Sequence, residues 1–159
     1  HLQALHAKAL GAGDTLAPNK EWEAFVGAFF SLVPAFSVCP DVQGEGMVGE
    51  VLLTVENGAK GEGDWGSPEA PILVACQGGR ETSSEKTLDA VLERAAHYGA
   101  ELVFVLRDGE SDGGEDSGTW DDTTVVFLDD AEVAALLEER KDVEIFLRDR
   151  VQEARARRI

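Results

Sequence analysis

The chain has 159 residues, and 43% of them are hydrophobic, which is sufficient for one domain with a buried core. Its 31 acidic residues outnumber 14 basic ones, giving a formal net charge of -17. This negative field repels phosphate backbones, so we expect weak or absent binding of the isolated chain to nucleic acid. High solubility or a salt-rich cytoplasm is the alternative explanation of this charge. No apolar run reaches the roughly 20 residues of a membrane span, so we expect no membrane association.

The two cysteines, Cys39 and Cys76, lie in apolar, strand-like runs without a CxxC pair. Such cysteines are typical of buried, reduced thiols, and together with the absence of a signal-peptide pattern they predict a cytoplasmic protein. The three histidines are too widely spaced along the chain to predict a metal site. Because the chain begins at His1 inside a helix-like run, we expect a fragment of a longer protein.

The first half of the chain predicts two helices and three strands. Residues 1–18 combine a helix-like run with the helix-breaking stretch "GAGDTLAP", and we expect an N-terminal helical extension there. A stronger helix is predicted from Asn19, which suits the N-cap, to Val33, because aromatic and aliphatic residues follow helical spacing. Pro34 ends it. The strand-like runs "AFSVCP", "MVGEVLLTVE" and "ILVAC" follow, and the last is apolar throughout, as in strands buried on both faces.

The second half predicts a helix, two strands and two further helices. An apolar stripe at helical spacing leads up to Gly99, which we expect to end the helix. "ELVFVL" and "TTVVFL" are predicted strands, and the acidic, glycine-rich residues 108–122 between them are predicted to be the most mobile internal segment. The helices "DDAEVAALLEE" and "DVEIFLRDRVQEARA" close the chain.

Arginines cluster near the end of the chain, where they either complement the dipole of the last helix or form a nucleic-acid patch. These residues are Arg148, Arg150, Arg155, Arg157 and Arg158. We favour the first explanation, because the charge of the whole chain opposes the second.

The order of these elements predicts one α/β domain over residues 19–159, with a mixed central sheet of about five strands flanked by helices. The three early strands are expected to form a meander. The strand at residues 101–106 is expected to run parallel to the strand at residues 72–77, because a helix crosses over between them.

Four segments in this order resemble the restriction-endonuclease-like superfamily, the PD-(D/E)XK nucleases, and within it the Mrr-like branch. "EWEAFVGAFF" is similar to the leading helix, and "GEVLLTV" to the second core strand, usually G-E-I-D-L-V. "ILVACQ" is similar to the third core strand, usually I-L-V-E-C-K, and "VVFLDDAEVAALLEE" to the segment after the last strand. The resemblance therefore implies a restriction-endonuclease-like core.

The resemblance also implies where an active site would lie. In the family, two carboxylates hold Mg²⁺ and a lysine orients the nucleophile or stabilises developing charge. The aspartate position falls on Leu52, the glutamate position on Ala75 and the lysine position on Gln77, and all three residues are uncharged. The resemblance thus predicts a degenerate motif with no catalytic residue, no metal and no cofactor. We expect a catalytically inactive domain that acts as a scaffold, sensor or partner-binding module, with a protein or other domains of a longer chain as its partner.

Two alternatives stay open. The first is a divalent-metal-dependent DNA endonuclease, using Mg²⁺ or Mn²⁺, with a displaced site built from Glu23, Glu50, Asp64 and Lys86. Convergence of these four side chains would favour it. The second is that Ala75 and Gln77 are ordinary strand residues of an unrelated α/β domain.

Overall fold

The computed structural model describes residues 27–33, 36–39, 50–57, 65, 70–77, 84–107, 117–139 and 141–158. The expected N-terminal extension at residues 1–18 lies outside these ranges, as does the first part of the helix predicted from Asn19. The strands are β1 (Phe36–Cys39), β2 (Glu50–Asn57), β3 (Ile72–Gln77), β4 (Leu102–Arg107), β5 (Gly118–Trp120) and β6 (Thr123–Asp129). The helices are α1 (Ser84–Tyr98), α2 (Asp130–Glu138) and α3 (Val143–Ala156), and residues 27–30 are also helical.

The strands form one mixed sheet in the order β1-β2-β3-β4-β6-β5. β1, β2 and β3 pair antiparallel, so the predicted meander is confirmed. β3 and β4 pair in parallel with α1 between them, which confirms the predicted crossover. β6 also runs parallel to β4, whereas β5 is antiparallel to β6 at the sheet edge. The domain therefore has the expected α/β architecture with a mixed sheet.

The number of strands differs from the expected five. The described residues form a sheet of six, because Gly118–Trp120 is an additional strand. This strand lies within residues 108–122, which were predicted to be a mobile loop, and the first part of that segment, residues 108–116, lies outside the described ranges. A two-residue turn with Asp121 at φ 51° joins β5 to β6. Aspartate tolerates this left-handed conformation, so the hairpin closes without glycine.

Helices cover both faces of the sheet. One face packs against α1 in a cluster of Leu73, Val91, Ala95, Ala100, Val103, Val105, Val125 and Phe127. On the other face, strand residues such as Val74, Phe104 and Leu128 pack against residues 29–33, α2 and α3. α1 ends as predicted at Gly99, whose φ of 70° lets the Ala100 N–H donate to the Ala95 carbonyl at 2.8 Å.

The sheet register separates the two cysteines. Cys39 lies opposite Thr54, and Thr54 lies opposite Leu73 on β3. Cys76 lies three positions further along β3, so it is two strands away from Cys39 and on the other face. Standard sheet spacings put their Cα atoms about 14 Å apart, well beyond the reach of a disulfide. The two cysteines therefore cannot pair with each other.

None of the helices within the described ranges has the length and hydropathy needed to cross a lipid bilayer.

Candidate functional site

The sheet register brings two of the predicted motif positions together. Leu52 on β2 lies directly opposite Ala75 on β3, which lies beside Val105 on β4, and Val105 lies beside Phe127 on β6. We call these four residues the motif row. Val105 and Phe127 are fully buried on the face that α1 covers. The predicted metal position therefore falls within a row that continues as buried apolar side chains.

A second row lies next to the motif row, where the parallel strands end. Gln77, the third motif position, is opposite Glu50 and beside Arg107, and Arg107 is beside Asp129. We call these four residues the edge row. Because adjacent strands are about 4.8 Å apart, the row spans roughly 14 Å. Ligands of open α/β sheets bind outside the carboxyl ends of the strands, so a ligand of this sheet would be expected near the edge row.

Two of the four candidates for a displaced site lie on described elements of the fold. Glu50 lies opposite Gln77, and Lys86 is in the first turn of α1. Glu23 and Asp64 lie outside the described residues, so convergence of the four is not tested. In the part of the chain that the structure describes, no three His, Cys, Asp or Glu side chains form a group that could hold a metal ion.

Asp129, at the end of the edge row, contributes to helix formation. Its side chain is fully buried and forms a capping box with Glu132 at the start of α2. The Glu132 Oε2 atom accepts the Asp129 N–H at 3.2 Å, and the Asp129 carboxylate accepts the backbone N–H of Glu132. The two carboxylates thus satisfy backbone donors at the first turn of the helix, where negative charge is also favoured by the helix dipole.

A buried arginine adjoins this capping box. Arg150 of α3 is 8% exposed, and one guanidinium nitrogen pairs with the second carboxylate oxygen of Glu132. The other donates to the Phe127 carbonyl at 2.9 Å. Glu153 lies 4.0 Å from Nε of the same guanidinium. One side chain therefore joins α3 to both β6 and the start of α2, and we call Arg150, Glu132 and the Phe127 carbonyl the arginine node.

The short length of β5 explains why the Phe127 backbone contacts side chains of the arginine node and of Ser117. β5 pairs with β6 only as far as Gly118 opposite Val125, so the pairing of these two strands does not extend to Phe127. The Phe127 N–H donates instead to the Ser117 hydroxyl at 2.9 Å, and the carbonyl accepts from Arg150. Buried backbone groups need such partners, since leaving one unsatisfied costs about 1–3 kcal/mol.

The structure corrects the interpretation of the arginine cluster. Arg150 is part of the core, and Arg148 pairs with Glu144 at 2.5 Å along the same helix. Arg155 alone lies in the last turn of α3, as the dipole explanation expects. Sequence reasoning missed the roles of Arg150 and Glu132. The spacing of Asp129 and Glu132, an N-cap residue followed three positions later by glutamate, is the signal that predicts the capping box.

The chain matches no protein-family model, no curated protein and no solved structure.

Proposed function

We propose that the chain is a catalytically inactive restriction-endonuclease-like domain of the Mrr-like branch. It acts in the cytoplasm as a scaffold, sensor or partner-binding module of a larger protein or assembly. One observation carries this proposal: Leu52 and Ala75 face each other in register on β2 and β3. In the family, carboxylates at these two positions share a metal ion. Here the two positions are adjacent, and neither residue can ligate a metal.

The topology supports the same proposal. An antiparallel meander leads into a strand–helix–strand crossover, and the motif positions lie on the second and third strands of the meander. This is the order that the resemblance requires of a restriction-endonuclease-like core. Fold alone does not imply nuclease activity, so the chemistry depends on the residues at those positions.

Those residues lack the groups that the reaction requires. Mg²⁺ is held in such sites by one or two protein carboxylates, and leucine and alanine remove both. Gln77 replaces the lysine with a neutral amide, which has no positive charge to offset the charge developing on a phosphate. The net charge of -17 further opposes the approach of DNA. Binding to a polypeptide partner does not require any of the lost groups.

Calorimetry with Mn²⁺ and a plasmid-nicking assay test the proposal. We expect no micromolar Mn²⁺ binding and no nicking above the level of a buffer control. Micromolar binding together with nicking would overturn the assignment as an inactive domain. The same measurements on Glu50→Gln and Lys86→Met variants would then show whether those residues carry the activity.

A divalent-metal-dependent DNA endonuclease with a displaced site remains the second candidate. The observation that favours it is the position of Glu50, a carboxylate-bearing residue directly opposite Gln77 and two residues from Leu52 on the same strand. A site of this kind also needs Glu23, Asp64 or Lys86 to reach Glu50. Loss of Mn²⁺ binding in Glu50→Gln, with an unchanged melting temperature, is the result expected from this second candidate alone.

A further inference from the structure

The outer edge of β5 is paired with residues 157 and 158, which follow α3. The Thr119 N–H donates to the Arg157 carbonyl at 2.9 Å, and Thr119 and Arg158 form a parallel β-bridge. The Thr119 hydroxyl also donates to the Ala154 carbonyl at 3.1 Å. A three-residue edge strand thus receives an extended segment immediately after α3 ends. We call residues 157 and 158 the strap.

The strap is held by backbone pairing, while its side chains are outside the core. Arg157 and Arg158 are both exposed, whereas Thr119 is buried. Strand addition at a sheet edge works in this way, since main-chain hydrogen bonds give affinity and alternate side chains give specificity. The edge therefore accepts an extended segment with little demand on the side chains that face away from it.

Charge decides which occupant fits this edge. Asp121 and Asp122, both exposed, form the turn at the end of β5, towards which a segment parallel to β5 would run. The strap itself is basic, and the chain as a whole carries -17. A second copy of the chain would bring a further -17 to the edge, and like charges oppose such an association. A basic extended segment is instead attracted to it.

We propose that the outer edge of β5 is a strand-addition site for an extended, basic segment of a partner polypeptide, and that the strap is its intramolecular competitor. This inference rests on the partner-binding role proposed above. The strap blocks the edge when no partner is present, which also keeps an unpaired strand from aggregating. The partner displaces it by pairing with the Thr119 backbone and continuing past the Asp121–Asp122 turn with positively charged side chains.

Hydrogen exchange at the Thr119 amide tests the strap. We expect deletion of residues 157–159 to speed this exchange about tenfold, the equivalent of one ordinary hydrogen bond. The Phe127 amide, which donates to Ser117, is the internal control and should not change. A truncated chain that keeps Thr119 as protected as the full chain would overturn the proposal. If the truncated chain does not fold, the double variant Arg157→Glu, Arg158→Glu in the full chain replaces it. This variant keeps the backbone pairing and reverses only the charge that faces the Asp121–Asp122 turn, so a smaller acceleration is expected, and an unchanged exchange rate would overturn the proposal.

A synthetic peptide tests the strand-addition site itself. The peptide contains residues 155–159 followed by two lysines, and the control peptide ends in two glutamates instead. At about 1 mM, a concentration suited to weak binding, the lysine peptide should restore protection of Thr119 in the truncated chain. The glutamate peptide should not. Equal effects of both peptides, or no effect of either, would exclude a site for basic segments.

This outcome is independent of the nuclease assays. If the peptide does not bind, β5 is excluded as the partner surface. The expected absence of metal binding and of nicking is not affected by that result. Nicking by the full chain would overturn the inactive-domain assignment without changing the exchange rate of Thr119.

Discussion

The motif row and the arginine node share Phe127 and differ in how they use charge. At the β2 and β3 end of the row lie Leu52 and Ala75, which occupy two charged positions of the proposed restriction-endonuclease-like motif. At the β6 end, the Phe127 carbonyl accepts a buried guanidinium that is paired with Glu132. The β2 and β3 end thus has uncharged residues at the proposed metal position, whereas the β6 end has a buried arginine that pairs with the half-buried Glu132.

This difference separates two reasons for placing charge inside a protein. Clustered carboxylates without a metal repel each other and cost desolvation energy, so replacing them favours folding. The arginine node is balanced internally, because the buried guanidinium donates both to a carboxylate and to a backbone carbonyl. Buried charge is therefore found where it connects secondary-structure elements of the fold.

Introducing the charged residues of the proposed motif at Leu52 and Ala75 in the motif row and at Gln77 in the edge row should give the largest effect. In Leu52→Asp, Ala75→Glu, Gln77→Lys we expect the free energy of unfolding to fall by about 3–5 kcal/mol without metal, since the row continues as buried apolar residues. Mn²⁺ at about 100 times its dissociation constant should recover about 2.7 kcal/mol by binding the folded state. Urea denaturation with and without Mn²⁺ measures both changes.

The uncharged control for this variant is Leu52→Asn, Ala75→Gln with Gln77 kept, because asparagine and glutamine have the shapes of aspartate and glutamate. It should not respond to Mn²⁺. A metal-free triple variant as stable as the original chain would show that the row tolerates charge.

Removing the arginine at the node should give the next largest effect. Arg150→Ala leaves the Phe127 carbonyl and the Glu132 carboxylate without their shared donor, and we expect a loss of about 2–3 kcal/mol. Arg148→Ala is the control on the same helix, because Arg148 pairs with Glu144 at a partly exposed position. Its expected loss is about 0.3–0.5 kcal/mol. Equal losses in the two variants, measured by urea denaturation, would contradict the role given to the node.

Removing the Ser117 hydroxyl should have a smaller effect on the stability of the same region. Ser117→Ala removes the hydroxyl that accepts the buried Phe127 N–H, and we expect a loss of about 1–2 kcal/mol. The control is Ser31→Ala, where an exposed hydroxyl donates to the Gly27 carbonyl. There water can replace the lost partner, so thermal denaturation should show a change within about 0.5 kcal/mol. A similar shift in both variants would mean that the Phe127 N–H has another partner.

Much of this fold could be predicted from the sequence because apolar runs and turn residues are local signals. The five longer strands, the crossover and the end of α1 at Gly99 were all found in this way. β5 was missed because three residues are too few to show alternation. It lies in an acidic, glycine-rich segment that otherwise has the composition of a loop.

The candidate site could be predicted less completely. The sequence placed Leu52 and Ala75 on neighbouring strands, and the register puts them directly opposite each other. Arg150 was grouped with neighbouring arginines because charge clusters are visible in sequence, whereas burial is not. The position of Arg150 depends on where β5 begins relative to Phe127. This is a property of the tertiary structure.

The smallest expected effect is that of the strap arginines on the binding of duplex DNA. The only basic cluster is divided by the fold, because Arg150 is buried and Arg148 is paired with Glu144. Arg157 and Arg158 remain exposed at the β5 edge, and two charges release few counterions against a net charge of -17. Fluorescence anisotropy with a labelled duplex should show no saturation below about 10 µM protein at about 0.15 M salt. The variant Arg157→Glu, Arg158→Glu should give the same curve. Nanomolar affinity that is lost in this variant would show that the strap arginines bind DNA, and the proposed protein partner of the β5 edge would then have a nucleic-acid competitor.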